Sequence, residues 1–160
     1  MLGEWNTYAV RHACETQIYF MSVGRGPEQF NIAHAITGSR EDLLYVADRV
    51  NNRVQVFTPD GKFVNEVFLR RETRGMGTAL DVALSADPNQ TFLFVADDSD
   101  GLVWVVDRKS LKVLGSIGGQ GRQTGQMYHP HNVAVGPDNN LYVGDVTGNR
   151  VQKWLYKGLQ

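Results

Sequence analysis

Residues 45–57 read YVADRVNNRVQVF, and the pattern returns as FVADDSDGLVWVV at 94–106 and YVGDVTGNRVQKW at 142–154. The three segments align without a gap at offsets of 49 and 48 residues, a period that suits the blade of a β-propeller. Around them the chain is strand-like throughout: short β-branched and aromatic runs are separated by Asn, Asp, Gly and Pro, as in FTPDGKF at 57–63, and no long stretch has a helical period. The spacing predicts strands near 32–36, 43–47, 53–57 and 63–68, the last two joined by the Pro59-Asp60-Gly61 turn, and these make one four-stranded blade. A second set is expected near 80–84, 92–96, 102–106 and 112–117, and a third near 131–135, 141–145 and 150–155, without an outer strand.

The expected class is therefore all-β: about three four-stranded propeller blades, over 24–70, 71–118 and 119–160, preceded by an N-terminal segment, 1–23. At the end of that segment QIYFMSVGRG (17–26) has the character of an outer strand over residues 17–23, and leads through a Gly-rich bend into the inner strand of blade one. Propeller rings have about four to eight blades, so three do not close alone. Closure calls for upstream blades or for another chain. The 160 residues carry 42% apolar residues, and 16 Lys+Arg stand against 17 Asp+Glu. A balance so even, without a basic block, argues against nucleic acid and against an anionic membrane surface as partners. No apolar run has the length of a membrane span, and the N-terminus has neither the basic start nor the apolar stretch of a secretory signal, which leaves the compartment open. Cys14, the single cysteine, reads as a free thiol rather than part of a metal motif with His12.

The repeats resemble the NHL family of β-propellers, marked by two apolar residues, Ala or Gly, Asp, a turn, and then Asn-Arg-Val-Gln. Tyr45-Val46-Ala47-Asp48 with Asn52-Arg53-Val54-Gln55 carries that mark, as does Tyr142-Val143-Gly144-Asp145 with Asn149-Arg150-Val151-Gln152. The middle unit departs after Asp97, with Gly101-Leu102-Val103-Trp104. The resemblance covers roughly residues 24 to 156 and implies a fold more than a function.

The first and third units match over a wider frame, Gln29–Phe57 on Gln126–Trp154, and His34 falls on His131; the repeat offsets of 49 and 48 place Ala83 in the middle unit. Inner strands line a propeller's channel, and in a six-bladed ring alternate blades stand roughly 120° apart. Three histidines so placed would converge on the axis, as the three protein ligands of a catalytic zinc do. This chain holds two of them. Repeat inheritance without function accounts for the pair equally well, and both readings stay open.

The two histidine-bearing units also look like the later blades of the peptidylglycine amidating lyase family, a six-bladed NHL-type propeller. That resemblance implies a lyase that cleaves a peptidyl-hydroxyglycine to a peptide amide and glyoxylate, with zinc on three channel histidines and a structural calcium. By it, His34 and His131 are zinc ligands. The family's Met-Pro-His-Asp is here His129-Pro130-His131-Asn132; His129 and Asn132 become rim or supporting residues, and a neutral amide in place of the carboxylate weighs against calcium. The site would take a peptide or small-molecule substrate at the channel mouth. No catalytic residue can be assigned from the sequence, and the chain alone, short of part of the ring, is expected to be inactive. The competing class is a non-catalytic NHL scaffold that binds a protein or other ligand through its loops. Asp48, Asp97 and Asp145 recur in every unit and read as turn hydrogen-bonding residues. Phe57, Trp104, Tyr142 and Trp154 read as interblade core.

Overall fold

The computed structural model describes residues 22–158, and among them there is no helix. Eleven strands form three antiparallel meanders. Blade one is β1 (Ala33–Gly38), β2 (Leu44–Asp48), β3 (Arg53–Phe57) and β4 (Phe63–Phe68); blade two is β5 (Val82–Leu84), β6 (Phe92–Asp97), β7 (Leu102–Asp107) and β8 (Val113–Gly118). Blade three is β9 (Pro130–Val135), β10 (Leu141–Asp145) and β11 (Arg150–Trp154), three-stranded among the described residues. The strand expected over 17–23 lies outside the described residues except for its end, where Val23 forms a parallel bridge with Phe30.

Turn chemistry explains why these segments meander. Gly61, at φ 84°, closes the β3–β4 turn and donates its N–H to the Thr58 carbonyl at 2.9 Å. Each β2–β3-type turn needs one left-handed residue, and the repeat supplies Asn52 (φ 57°), Gly101 (φ 68°) and Asn149 (φ 49°) at that place.

Alternating side chains then join the blades. Tyr45, Ala47, Val54 and Val56 of blade one pack with Val82, Leu93, Val95 and Val106 of blade two. On its other face blade two sets Leu80, Phe92, Phe94 and Val103 against Met127, Val133, Leu141 and Val143 of blade three. Blade two is thus covered on both sides, and β6 is buried at every position. Of the aromatics expected in these cores, Phe57 is fully buried and Trp104 and Trp154 flank the clusters. Tyr142 instead lies half-buried beside Lys153, whose Nζ is 5.5 Å from the ring centre, because its position in blade one, Tyr45, is one that faces a following blade.

One equivalence needs correction. The β5–β6 connection spans 85–91, whereas the corresponding β1–β2 connection spans 39–43, so a single offset does not carry the inner strand across. Leu80 N–H donates to the Ala96 carbonyl at 3.0 Å, and Ala96 N–H to the Asp81 carbonyl at 2.9 Å. Those two residues stand opposite Ala96 as His34 and Ala35 stand opposite Ala47. The middle-blade counterpart of His34 is therefore Leu80 and not Ala83.

Candidate functional site

His34 and His131 occupy the same irregularity in their strands. In blade one the register passes from Ala33↔Asp48 to Ala35↔Ala47, and in blade three from Pro130↔Asp145 to Asn132↔Gly144. Each histidine is thus the extra residue of a β-bulge, a device that turns a side chain out of the strict alternation of a strand. The two half-buried rings meet edge to face with centres 5.2 Å apart.

Blade two, which has no histidine here, contributes backbone. His34 Nδ1 lies 2.7 Å from the Leu80 carbonyl oxygen. A carbonyl only accepts, so Nδ1 carries the proton and donates, and the neutral ring keeps its lone pair on Nε2. A backbone carbonyl on one ring nitrogen is the arrangement that orients a metal-binding imidazole.

His129 sits one residue before β9. Its Nδ1 donates to Oδ1 of Asp98, 2.7 Å away in the β6–β7 turn, and its ring meets Tyr128 at 4.9 Å. The backbone beneath is fixed by Asp145, whose two carboxylate oxygens accept the N–H groups of Tyr128 (3.1 Å) and His129 (2.9 Å). Burial pushes the Asp145 carboxyl up, but these bonds, with those from Gly148 and Arg150, outweigh it and hold the group below its ordinary value. Asn132 is exposed on the side of blade three that carries Gly144.

Sequence reasoning passed over Asp98 and Arg49. Asp98 was hidden because its tie to His129 crosses from blade two to blade three. Arg49 follows Asp48 in the β2–β3 turn, at the end of blade one where β1 begins, and its Nε is buried with no hydrogen-bond partner among the described residues. The signal for Arg49 was its departure from the frame: the other units place Asp98 and Val146 there. No group of three or more His, Cys, Asp or Glu among the described residues is arranged to hold a metal ion; His34 and His131 come together as a pair.

Residues 127–154 match the NHL repeat family. The chain is 34% identical over 138 residues to the human E3 ubiquitin-protein ligase TRIM32, covering 83% of the chain and 20% of that protein. It is 30% identical over 144 residues to the peptidyl-glycine alpha-amidating monooxygenase B of Xenopus laevis, covering 80% of the chain and 15% of that protein. It therefore spans a fifth or less of these relatives. Among solved structures, virginiamycin B lyase from Staphylococcus aureus superposes with a TM-score of 0.56 at 12% identity, over 84% of this chain and 42% of that one, a likeness of fold alone. Repeated strand-turn units, three packed meanders and these likenesses agree, and the chain is a run of NHL-type β-propeller blades.

Proposed function

We propose that this chain supplies two imidazoles of a zinc centre at the mouth of an amidating-lyase-like propeller that acts on a peptidyl-hydroxyglycine. The observation that carries this reading is the 5.2 Å separation of the His34 and His131 rings. Two imidazoles on one tetrahedral zinc, with metal–nitrogen bonds of about 2.0–2.1 Å, stand with ring centres about 5 Å apart. The Leu80 carbonyl on His34 Nδ1 and the 30% identity to an amidating monooxygenase support it further.

Zinc bound there would polarise a substrate oxygen or acidify a bound water. The protein's own groups do the rest. His34 presents Nε2, with its ring set by Leu80. His129, held through Nδ1 by Asp98, keeps Nε2 as a proton acceptor on the rim. Asn132 adds no carboxylate for calcium.

Zinc titration of the purified chain tests the proposal. Saturable binding is expected, weakened at least about ten-fold by His34→Ala or by His131→Ala, the loss of one of two protein ligands. Binding that is absent, or indifferent to both substitutions, overturns it. A second reading, a protein-binding scaffold without metal, draws on the 34% identity to TRIM32 and on the even charge balance, and zinc-free protein would favour it.

A further inference from the structure

At the end of the blades where the histidines lie, two turns related by the repeat carry opposite charge. In blade two the β6–β7 turn offers Asp98, Ser99 and Asp100 to the connectors on either side. Asp100 accepts from Arg70 Nη1 at 2.5 Å and from the Thr73 hydroxyl at 3.3 Å, both in the connector from blade one. Asp98 accepts from His129, and the Ser99 carbonyl from the Gln120 side chain at 3.1 Å, both in the connector to blade three. Shifted back by the repeat offset of 49, those three turn positions become Arg49, Val50 and Asn51. In blade one they hold no carboxylate.

The connectors beside that turn are nonetheless basic: residues 70–75 read RRETRG and residues 24–26 read GRG. Between them and the turn lies an open cavity of about 760 Å³, bordered by Arg25, Arg71 and Arg74, and of a size that suits a ligand. Its walls are tied together. The buried Asn52 side chain donates to the Thr73 carbonyl at 2.8 Å and accepts the Thr78 N–H at 3.0 Å, and the Asn51 amide donates to the Gly24 carbonyl at 2.7 Å. The Arg71 guanidinium carbon lies 3.4 Å from the centre of the Phe68 ring, a stacking that uses the face of the group and leaves its N–H edge for a carboxylate. Glu72 also borders the cavity, but its carboxylate is 3.9 Å from Arg70. Among the described residues, Arg25, Arg71 and Arg74 have no ion-pair partner.

The cavity shares its end of blade one with His34, because Ala33, Asp48, Arg53 and Phe68 are paired in turn across the four strands. Three strand spacings of about 4.8 Å set it about 14 Å outward from the channel.

We infer that this cavity binds an acidic peptide segment, whose carboxylates take the place on blade one that Asp98 and Asp100 hold on blade two. A carboxylate is the partner the fold itself uses for a connector arginine, as Asp100 shows with Arg70. In an extended peptide alternate side chains point the same way, so alternating glutamates present more than one carboxylate to the same cavity. The inference concerns the acidic residues of the ligand and holds with or without metal at the histidines.

Isothermal titration calorimetry of the 160-residue chain tests this, with a capped peptide of alternating Glu and Ala and its Gln counterpart as probes. Phenanthroline, a neutral chelator, is present throughout. Saturable binding of the Glu peptide is expected and none of the Gln peptide, a comparison that alters no atom of the protein. Arg71→Gln and Arg74→Gln fall on exposed side chains, and each should weaken binding about five-fold, as for the loss of one exposed ion pair. Arg122→Gln makes the same change of charge in the connector to blade three, at an exposed side chain that does not border the cavity, and should leave the affinity unchanged. His34→Ala should leave it unchanged too, which separates this site from the zinc centre. A wild-type chain that fails to bind the Glu peptide overturns the inference, as does equal binding of the two peptides. So does binding that survives both cavity substitutions, or that falls as much with Arg122→Gln as with Arg71→Gln.

Discussion

Blades one and two share a turn and solve it with different chemistry. In blade one Asp48 is buried, and its carboxylate accepts the Arg53 Nε at 2.8 Å, the Asn51 amide at 2.8 Å and the Asn31 N–H at 2.7 Å. Arg53 is fully buried too, and spends its remaining donors on Glu66 and on the carbonyls of Arg25, Gly26 and Gln29. In blade two Leu102 and Trp104 stand where Arg53 and Gln55 would be. Asp97, as buried as Asp48, accepts, among the described residues, the Trp104 indole N–H at 2.8 Å and the Asp100 N–H at 3.0 Å. Burial therefore wins, and the Asp97 carboxyl is pushed up to about 7 against those two bonds. One aspartate position thus serves as an ion-pair hub or as a hydrogen-bond acceptor near its titration point, depending on what sits five residues later.

Removing the hub should have the largest effect. Arg53→Ala takes one donor from the buried Asp48 carboxylate and from each of three carbonyls, and leaves Asp48 without its ion-pair partner, and should cost about 3–5 kcal/mol in urea unfolding. Arg150→Ala, its counterpart in blade three, should cost about 1–2 kcal/mol, because the Arg150 side chain is 25% exposed against 0% for Arg53 and its bond to Asp145 is longer, 3.1 Å. Equal losses would remove the distinction between a buried hub and a half-open one. Next comes Asp97. Unfolded, it ionises near 3.8; folded, near 7. Between those values the folded chain holds a proton that the unfolded chain has released, so stability falls as pH rises from about 4 to 7 and levels off above. The contribution reaches up to about 4 kcal/mol in a dry site and less as water enters. It is measured as the difference between wild type and Asp97→Asn in unfolding at pH 4, 6 and 8, and curves that stay parallel would mean that Asp97 resembles Asp48 after all.

Much of the fold was legible because turns and alternation are local. The strands expected at 53–57, 63–68 and 141–145 coincide with β3, β4 and β10, each bounded by Gly, Asn, Asp or Pro. The strand expected at 80–84 shortens to Val82–Leu84; Leu80 and Asp81 share one partner, Ala96, in a bulge, and a bulge leaves no mark in composition. The histidine pair was legible as a coincidence of frame. What orients it was not: the Leu80 carbonyl that accepts from His34 is 46 residues away, and any residue type supplies a carbonyl. The longer β5–β6 connection misdirected the middle-blade equivalence to Ala83 for the same reason, because a loop absorbs extra residues without disturbing the pattern on either side.

The position of blade two between two cores sets an order for amide hydrogen exchange. Local opening is easiest where one face of a sheet lacks packing, so protection should be greatest in β6, which is buried throughout, and should decline toward β1 and β11, whose exposed side chains include Ile36 and Val151. His34 and His131 belong to the two declining flanks. A ligand held by both would clamp blades one and three around blade two and slow exchange at the flanks more than in β6, a contrast that exchange with and without zinc reads directly. Uniform slowing would instead place the ligand's hold elsewhere. The imidazole pair would then be the first part of the molecule to come apart on warming and the last to be restored on cooling.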